Sequence, residues 1–315
     1  MLSRPRFFRQ LVTSKRPYLL LAIVILLWGA NYVVSRLLSG IEPVRISGIL
    51  YAFLRYLLGA ITMVFVMIYQ GKGLSEIREE TRPYKAILLL SAFFSSVFVI
   101  AVHLSAEFVS SGTTSIIVNL CPFLVFLYGV SYLRERFTFV KACGFILGLV
   151  GGLIFLWNSL ALSPGLEFGI ILALIGMIAW GAYSITLHYL DGANRYIVMT
   201  VKHVASTAMV LPTLLIVVLD GTSLILVLDA WSVAGLLFSG VLASGLAYVL
   251  YFSSIELLGA PKATSYLFLV PFVSVAGDFV LGEPPEVITL IAGVIALVGV
   301  ALVKFAGANE TRVVA

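Results

Sequence analysis

Residues 18–38 read YLLLAIVILLWGANYVVSRLL, an apolar run of 21 residues that contains a single charged side chain, Arg36. A bilayer core about 30 Å thick is crossed by roughly 20 helical residues, so this run predicts a membrane-spanning helix. The basic residues before it resemble the start of a secretory signal. The run lacks a small-residue cleavage site and carries Trp28 and Asn31, so we expect it to be retained as the first helix.

Nine further apolar runs follow, separated by glycine, proline and charged residues. With 61% hydrophobic and 11% charged residues, the chain has more apolar surface than a soluble core could bury. The sequence therefore predicts an all-α integral membrane protein of ten transmembrane helices, with short loops and no sizeable soluble domain. The nine runs span residues 46–69, 84–106, 110–132, 139–157, 167–190, 197–219, 231–256, 260–282 and 287–306.

The basic residues fall mainly on one side of this topology. If the amino terminus is cytoplasmic, sixteen of the twenty Lys and Arg residues lie in cytoplasmic segments, two in outer loops and two within spans. Cytoplasmic loops keep the excess of positive charge, so both termini are predicted to be cytoplasmic. Residues 1–17 then form a basic cytoplasmic segment and residues 307–315 a cytoplasmic tail. We expect a multi-pass protein of the plasma, or inner, membrane.

The two halves of the chain repeat one another. Each unit, 18–157 and 167–306, contains five predicted helices, so the second must begin on the opposite side of the membrane from the first. Inverted repeats of this kind place a substrate site between the halves, near half depth, where it opens to each side alternately. The sequence therefore predicts a central cavity. The landmarks that coincide at an offset near 150 residues are Trp28 with Trp180, Glu107 with Glu256, Pro122 with Pro271, and Glu135 with Glu283.

These landmarks also carry a family resemblance. Leu133-Arg134-Glu135-Arg136 precedes a glycine-rich helix, and Leu281-Gly282-Glu283-Pro284 precedes another in the second half. Together with the Trp-Gly pairs and the two prolines, they resemble the EamA-type branch of the drug/metabolite transporter superfamily over residues 17–306. Pro284-Pro285 departs from the first-half motif. The resemblance implies transport of a small metabolite but no particular substrate, because the framework serves exporters of amino acids and drugs as well as nucleotide-sugar and sugar-phosphate carriers. The glycines that follow the motifs are Gly144, Gly148, Gly151, Gly152, Gly293 and Gly299.

Charged residues inside spans are costly and mark candidate functional positions. Arg55 lies near the predicted midplane, where it could bind a carboxylate or phosphate of the substrate, or pair with other groups to lock the bundle. Lys202 lies nearer a helix end, where its side chain could extend to the interface instead. His103 and Glu107 lie one turn apart and form either a proton relay or a local pair at a helix end.

Aromatic and polar residues near the midplane complete the candidate site. Trp28 and Trp180 could form the walls or gates of a cavity, or simply pack in the core. The predicted substrate-binding residues are Trp28, Asn31, Tyr32, Arg55, His103, Trp180, Tyr183, Lys202 and Tyr266. The residues predicted to have structural roles, at loops, kinks and helix contacts, are Pro122, Pro271, Glu135, Glu283, Gly144 and Gly148.

Three functions remain open from the sequence. The first is a secondary transporter or facilitator that exports amino acids or related metabolites, the second an anion-metabolite exchanger that uses Arg55 and Lys202, and the third an intramembrane lipid enzyme built on His103 and Glu107. No nucleotide-binding loop and no metal-ligand cluster is present, so we expect no ATP-driven pumping, no cofactor and no metal. Of the three functions we expect a transporter and not an enzyme. The expected partners are a small-molecule substrate and the lipid bilayer, with no nucleic acid. The oligomeric state stays open, and a monomer is compatible with the sequence.

Overall fold

A computed structural model describes residues 17–134, 138–162, 167–190, 192–258, 263–264 and 266–310. Within these ranges the chain forms ten apolar helices, nine of them long enough to cross a membrane and one shorter. The described residues contain no β-strand beyond a single isolated bridge between Ile46 and Leu226. The predicted all-α membrane fold of ten helices is confirmed.

The helices follow the predicted runs closely. They are α1 Pro17–Ser39, α2 Gly48–Tyr69, α3 Lys85–Phe108, α4 Ser111–Ser131, α5 Phe139–Leu162, α6 Glu167–His188, α7 Arg195–Leu219, α8 Ala230–Leu258, α9 Tyr266–Leu281 and α10 Val287–Glu310. A short helix that the sequence analysis did not predict, Leu74–Thr81, precedes α3. The last helix continues past 306, so part of the predicted tail at 307–315 is helical.

The start of the first helix, α1, and the end of the last helix, α10, lie on the same face of the molecule. Near the start of α1, the ring of Tyr18 packs edge-on against Tyr266 at the start of α9, with centroids 5.7 Å apart. Tyr266 in turn lies 5.8 Å from Phe305, near the end of α10. We call this side the termini face and the other side the opposite face.

Packing between helices follows the inverted repeat. Helix α1 packs against α8 and α9, and its counterpart α6 packs against α3 and α4. Three further contacts each join a helix to its counterpart in the other repeat. They are α2 with α7, α4 with α9, and α5 with α10. Two five-helix units of opposite orientation thus interlock along the whole depth of the bundle.

Helices α4 and α9 are interrupted at equivalent places. In α4, the segment Ser111–Val118 ends before a new helix begins at Cys121, and Pro122 stands in its first turn. In α9, a 3-10 turn over Tyr266–Leu269 precedes Val270–Leu281, with Pro271 in the first turn. Proline lacks an N–H, and a first helical turn needs none, so both prolines begin a helical segment without losing a hydrogen bond. Discontinuous helices of this kind present free backbone groups at half depth.

Glycines bring α5 and α10 into close contact. A side chain at Gly299 would meet the backbone of Gly148, and one at Gly144 would lie 2.9 Å from the Gly299 carbonyl. Small residues at this spacing let two membrane helices approach until their backbones touch. Glu135, the other predicted structural residue of this region, lies outside the described residues.

Candidate functional site

A cavity of about 80 Å³ lies between the two repeats at the interruptions of α4 and α9. Its size is well below the roughly 300–1,000 Å³ of pockets for drug-sized ligands, so this conformation suits a small molecule. Among the described residues, the lining contains no carboxylate. It comprises Trp28, Asn31, Tyr32, Arg55, Phe98, Val102, Val118, Asn119, Cys121, Pro122, Trp180, Tyr248, Leu267, Val270 and Lys304.

Arg55 is the most buried charge in the cavity wall, with 7% of its surface exposed. Its Nε donates to Ser244 Oγ at 2.9 Å and its Nη1 donates to His103 Nε2 at 2.8 Å. Within the part of the chain that the structure describes, no carboxylate forms an ion pair with Arg55. A guanidinium held in place but not neutralised can bind an anionic group of a ligand.

His103 is hydrogen-bonded to Arg55 and Ser35, and the structure shows no hydrogen bond between His103 and Glu107. A guanidinium only donates, so His103 Nε2 must accept, and the ring proton sits on Nδ1, 2.6 Å from Ser35 Oγ. Glu107 points elsewhere and accepts from the backbone N–H of Gly48 at the start of α2, at 2.5 Å. The predicted pairing of His103 with Glu107 is therefore wrong, because each side chain has a different partner on another helix.

Asn31 adds an unused acceptor to the cavity. The residue is 3% exposed, and among the described residues its Oδ1 has no hydrogen-bond partner. A buried amide oxygen without a partner is costly, so a ligand that donates a hydrogen bond there gains binding energy. The guanidinium of Arg55 and the acceptor oxygen of Asn31 thus lie in the wall of the same cavity.

Five of the fifteen lining residues are aromatic. Trp28 donates from Nε1 to the Ala243 carbonyl at 2.9 Å and packs 5.2 Å from Tyr248. Trp180 stands opposite, 4.7 Å from the ring of Phe98. Aromatic faces of this kind accommodate apolar side chains and attract cations.

A π-helical segment in α8 provides the oxygen atoms that accept hydrogen bonds from Trp28 and Arg55. Residues Phe238–Leu246 form a wider coil inside an otherwise α-helical span. The Ala243 carbonyl and the Ser244 hydroxyl, which receive Trp28 and Arg55, both lie in this segment. Single π-helical turns inside membrane helices often occur at functional sites. The sequence analysis did not predict this segment, since nothing in the local composition of α8 distinguishes it.

Lys304 is a second cation in the wall, and the sequence analysis counted it only as a loop charge. It lies 17 residues along α10, roughly 26 Å from the opposite face, whereas Arg55 lies roughly 12 Å from that face. Lys304 Nζ donates to the Thr264 carbonyl at 3.0 Å. The two cations therefore occupy different depths, Arg55 at the inner end of the cavity and Lys304 towards the termini face.

Four predicted site residues do not line the cavity. His103 is hydrogen-bonded to Arg55 but is not part of the lining. Lys202 does not reach the interface, because it is 1% exposed and donates to Ser95 Oγ at 3.3 Å inside the bundle. Tyr183 packs beside it, with its ring centroid 5.4 Å from Lys202 Nζ. Tyr266 packs against Tyr18 and Phe305 at the termini face.

Ion pairs close the opposite face. Arg36 at the end of α1 forms a bidentate pair with Glu283, which follows α9, at 2.6 and 2.9 Å. Arg45 pairs with Asp229 at 3.2 Å. The backbone N–H of Ser232 donates to Asp229 and lowers the pKa of its carboxyl group, so this carboxylate stays charged at neutral pH. Among the described residues, both ion pairs that join the two repeats lie on this face.

Asp278 adds a third link on the same side. Its carboxylate accepts from Ser110 Oγ at 2.9 Å, Ser111 Oγ at 2.5 Å and the backbone N–H of Gly112 at 2.9 Å. These groups form the start of α4, where the helix dipole favours a negative charge. Helix α9 is thereby fixed to α4 at its end near the opposite face.

Two inverted five-helix units around a half-depth cavity, closed on one face by ion pairs, define a polytopic membrane transporter. The family model described as "EamA-like transporter family" matches the chain twice, over residues 15–157 and 167–305. The chain belongs to this family.

Relatives of similar length support this assignment. An uncharacterized transporter of Archaeoglobus fulgidus is 25% identical over 91% of this chain and 98% of its own. The uncharacterized transporter YoaV of Bacillus subtilis is 26% identical over 80% and 83%. A probable terminal-alkyne amino-acid exporter of Streptantibioticus cattleyicolor is 23% identical over 90% and 92%. One solved crystal structure shares the fold, with a TM-score of 0.61 and 17% identity over 93% of this chain and 99% of that one.

Proposed function

We propose that this chain is a secondary transporter that exports amino acids or closely related small carboxylate-bearing metabolites by alternating access. The proposal rests on two residues in the wall of one cavity. Among the described residues, Arg55 has no carboxylate ion-pair partner and Asn31 Oδ1 has no hydrogen-bond partner. The described lining of the cavity holds no carboxylate. A substrate carboxylate would bind the guanidinium, and a substrate amino group would donate to Asn31.

The aromatic wall is consistent with the rest of such a substrate. The faces of Trp28, Trp180 and Tyr248 attract an ammonium group and accept an apolar side chain. The small volume of the cavity favours a molecule the size of an amino acid. A relative that is a probable terminal-alkyne amino-acid exporter supports the same substrate class.

Orientation in the membrane is part of the proposal. The excess of Lys and Arg in loops on the termini face supports a cytoplasmic location for that face. The cavity extends from Arg55 towards this face, and the ion pairs close the other, so the conformation is one that would load substrate from the cytoplasm. This arrangement supports the proposed export from the cell across the plasma membrane.

Counterflow in proteoliposomes tests the substrate class. Vesicles loaded with one unlabelled amino acid should accumulate the same labelled amino acid, and Arg55→Gln should reduce the initial rate at least tenfold. Arg78→Gln, which alters an exposed arginine of the short helix, is the matched control and should retain the rate within twofold. No counterflow for any amino acid would overturn the proposal.

An anion-metabolite exchanger is the second candidate. Two cations, Arg55 and Lys304, in a lining without described carboxylates would also attract a phosphate ester. Counterflow of sugar phosphates in the absence of amino-acid counterflow would establish this alternative in place of the first.

A further inference from the structure

Arg55 and Lys202 occupy the same position in the two inverted repeats. Helix α2 begins after its N-cap residue Ser47, and α7 begins after its N-cap residue Asn194. Arg55 and Lys202 each follow their N-cap by eight residues. The two side chains therefore lie at about the same depth, measured from opposite faces of the membrane.

Their partners are equivalent as well. Arg55 Nε donates to Ser244 Oγ on α8, and Lys202 Nζ donates to Ser95 Oγ on α3. Ser95 and Ser244 are separated by 149 residues, which is the offset that also relates Pro122 to Pro271. Each hydrogen bond runs from a basic residue of one repeat to the equivalent serine of the other.

Only one of these two sites is open to the cavity. Arg55 lines it together with Asn31, but their counterparts Lys202 and Tyr183 are packed against each other away from it. Tyr248 lines the cavity and also contacts Lys202, with its ring centroid 5.2 Å from that of Trp28 and 5.3 Å from Lys202 Nζ. The bundle is symmetric in sequence positions but asymmetric in which basic side chain reaches the ligand space.

Among the described residues, the surroundings of Lys202 contain no counter-ion for its basic side chain. The neighbours of Lys202 Nζ are Ser95, the neutral ring of His203, and the ring faces of Tyr56, Tyr183 and Tyr248. The Nδ1 of His203 donates to the Met199 carbonyl at 2.9 Å. The described residues provide no carboxylate partner for Lys202. A basic side chain held inside a membrane bundle without a counter-ion gains stability in any state that exposes it to an anion.

We propose that Lys202, with Ser95, forms a second substrate-carboxylate site that replaces Arg55 and Ser244 when the transporter opens to the opposite face, with Tyr183 at the position that Asn31 occupies in the first site. In this proposal the other conformation is reached when each repeat adopts the arrangement that its counterpart has here. Lys202 then stands at the inner end of a cavity open to the opposite face, as Arg55 does here for the termini face. This inference rests on the proposed transport of carboxylates, and it requires the Tyr248 ring to move away from Lys202.

Cysteine accessibility tests the exchange of cavities without a known substrate. Asn31→Cys and Tyr183→Cys, each in a Cys121→Ala and Cys143→Ala background, are treated in oriented vesicles with a membrane-impermeant methanethiosulfonate trimethylammonium reagent. Asn31→Cys should react from the termini face and Tyr183→Cys from the opposite face, each at least tenfold faster than Met63→Cys, a fully buried control on α2. Reaction of Tyr183→Cys no faster than the control, or only from the termini face, would overturn the inference.

The role of Lys202 in binding is tested by measuring the Michaelis constant separately for substrate presented at each face of the membrane. For a transported amino acid, Lys202→Gln should raise KM at least tenfold for substrate presented at the opposite face and less than twofold at the termini face, and Lys202→Arg should restore it. An equal rise at both faces, or no restoration, would show a structural role and overturn the inference. If the cysteines are labelled as expected but no amino acid shows counterflow, the exchange of cavities is established and amino acids are excluded as the substrate.

Discussion

Arg36 and Glu283 join the two repeats at the opposite face through a bidentate ion pair, with Nη2 2.6 Å from Oε1 and Nε 2.9 Å from Oε2. Their side chains are 12% and 29% exposed, so the pair is partly shielded from water. Arg36 also donates from Nη1 to the Ala106 carbonyl at 3.0 Å, which ties α3 to the same point. The opposite face can open only if these bonds break.

Glu283→Gln should therefore destabilise the closed opposite face. Loss of a bidentate charge-assisted pair costs about 1.5–3 kcal/mol, and we expect a lower melting temperature and faster labelling of Tyr183→Cys from the opposite face. Glu76→Gln removes the more exposed Lys72–Glu76 pair and is the control, with an expected effect below about 0.5 kcal/mol. Equal effects of the two substitutions would mean that the Arg36–Glu283 pair does not hold this face shut.

Asn31→Leu separates stability from binding. Replacing a buried, unpartnered amide with an apolar side chain of similar size should raise the unfolding free energy by about 1 kcal/mol or more and weaken amino-acid binding at least tenfold. Asn119→Leu is the matched control, because Asn119 also lines the cavity but its Nδ2 donates to the Ser115 carbonyl, and its loss should destabilise the protein. Thermal unfolding and isothermal titration measure the two effects. Unchanged affinity in Asn31→Leu would exclude Asn31 as a ligand contact.

Gly299→Ala should separate α5 from α10. Its new methyl group would meet the backbone of Gly148, which cannot move aside as a side chain could, so we expect a loss of about 1–3 kcal/mol. Gly152→Ala, on α5, would meet only the end of the Leu120 side chain at 3.2 Å and should cost less. Thermal unfolding in detergent measures both. A Gly299→Ala protein as stable as Gly152→Ala would contradict the close contact between these helices.

The fold could be predicted from the sequence because hydropathy and repetition are strong signals in a membrane protein. Each apolar run had to form a helix, since lipid leaves no other way to satisfy the backbone, and the odd number of helices per repeat required inversion. The interruptions in α4 and α9 were less predictable. Pro122 and Pro271 indicated a change of direction near mid-helix but not that each would begin a new helical segment.

The site was only partly predictable because single positions do not reveal partners. Arg55, Trp28 and Trp180 were identified from their depth, and the structure brings them to one cavity. Lys304 was missed because a basic residue near a helix end also fits a loop. Lys202 was expected to extend to the interface, but the tyrosines that enclose it come from three other helices, and their convergence depends on tertiary packing.

Ligand-induced stabilisation is the measurement that tests the central claim most directly, because a ligand bound only by the folded state raises its melting temperature. Purified protein should be stabilised by an amino acid but not by the amine that lacks its carboxylate, and Arg55→Gln should abolish the shift while Arg78→Gln keeps it. Equal stabilisation by the amine, or an undiminished shift in Arg55→Gln, would contradict the binding of a substrate carboxylate by Arg55.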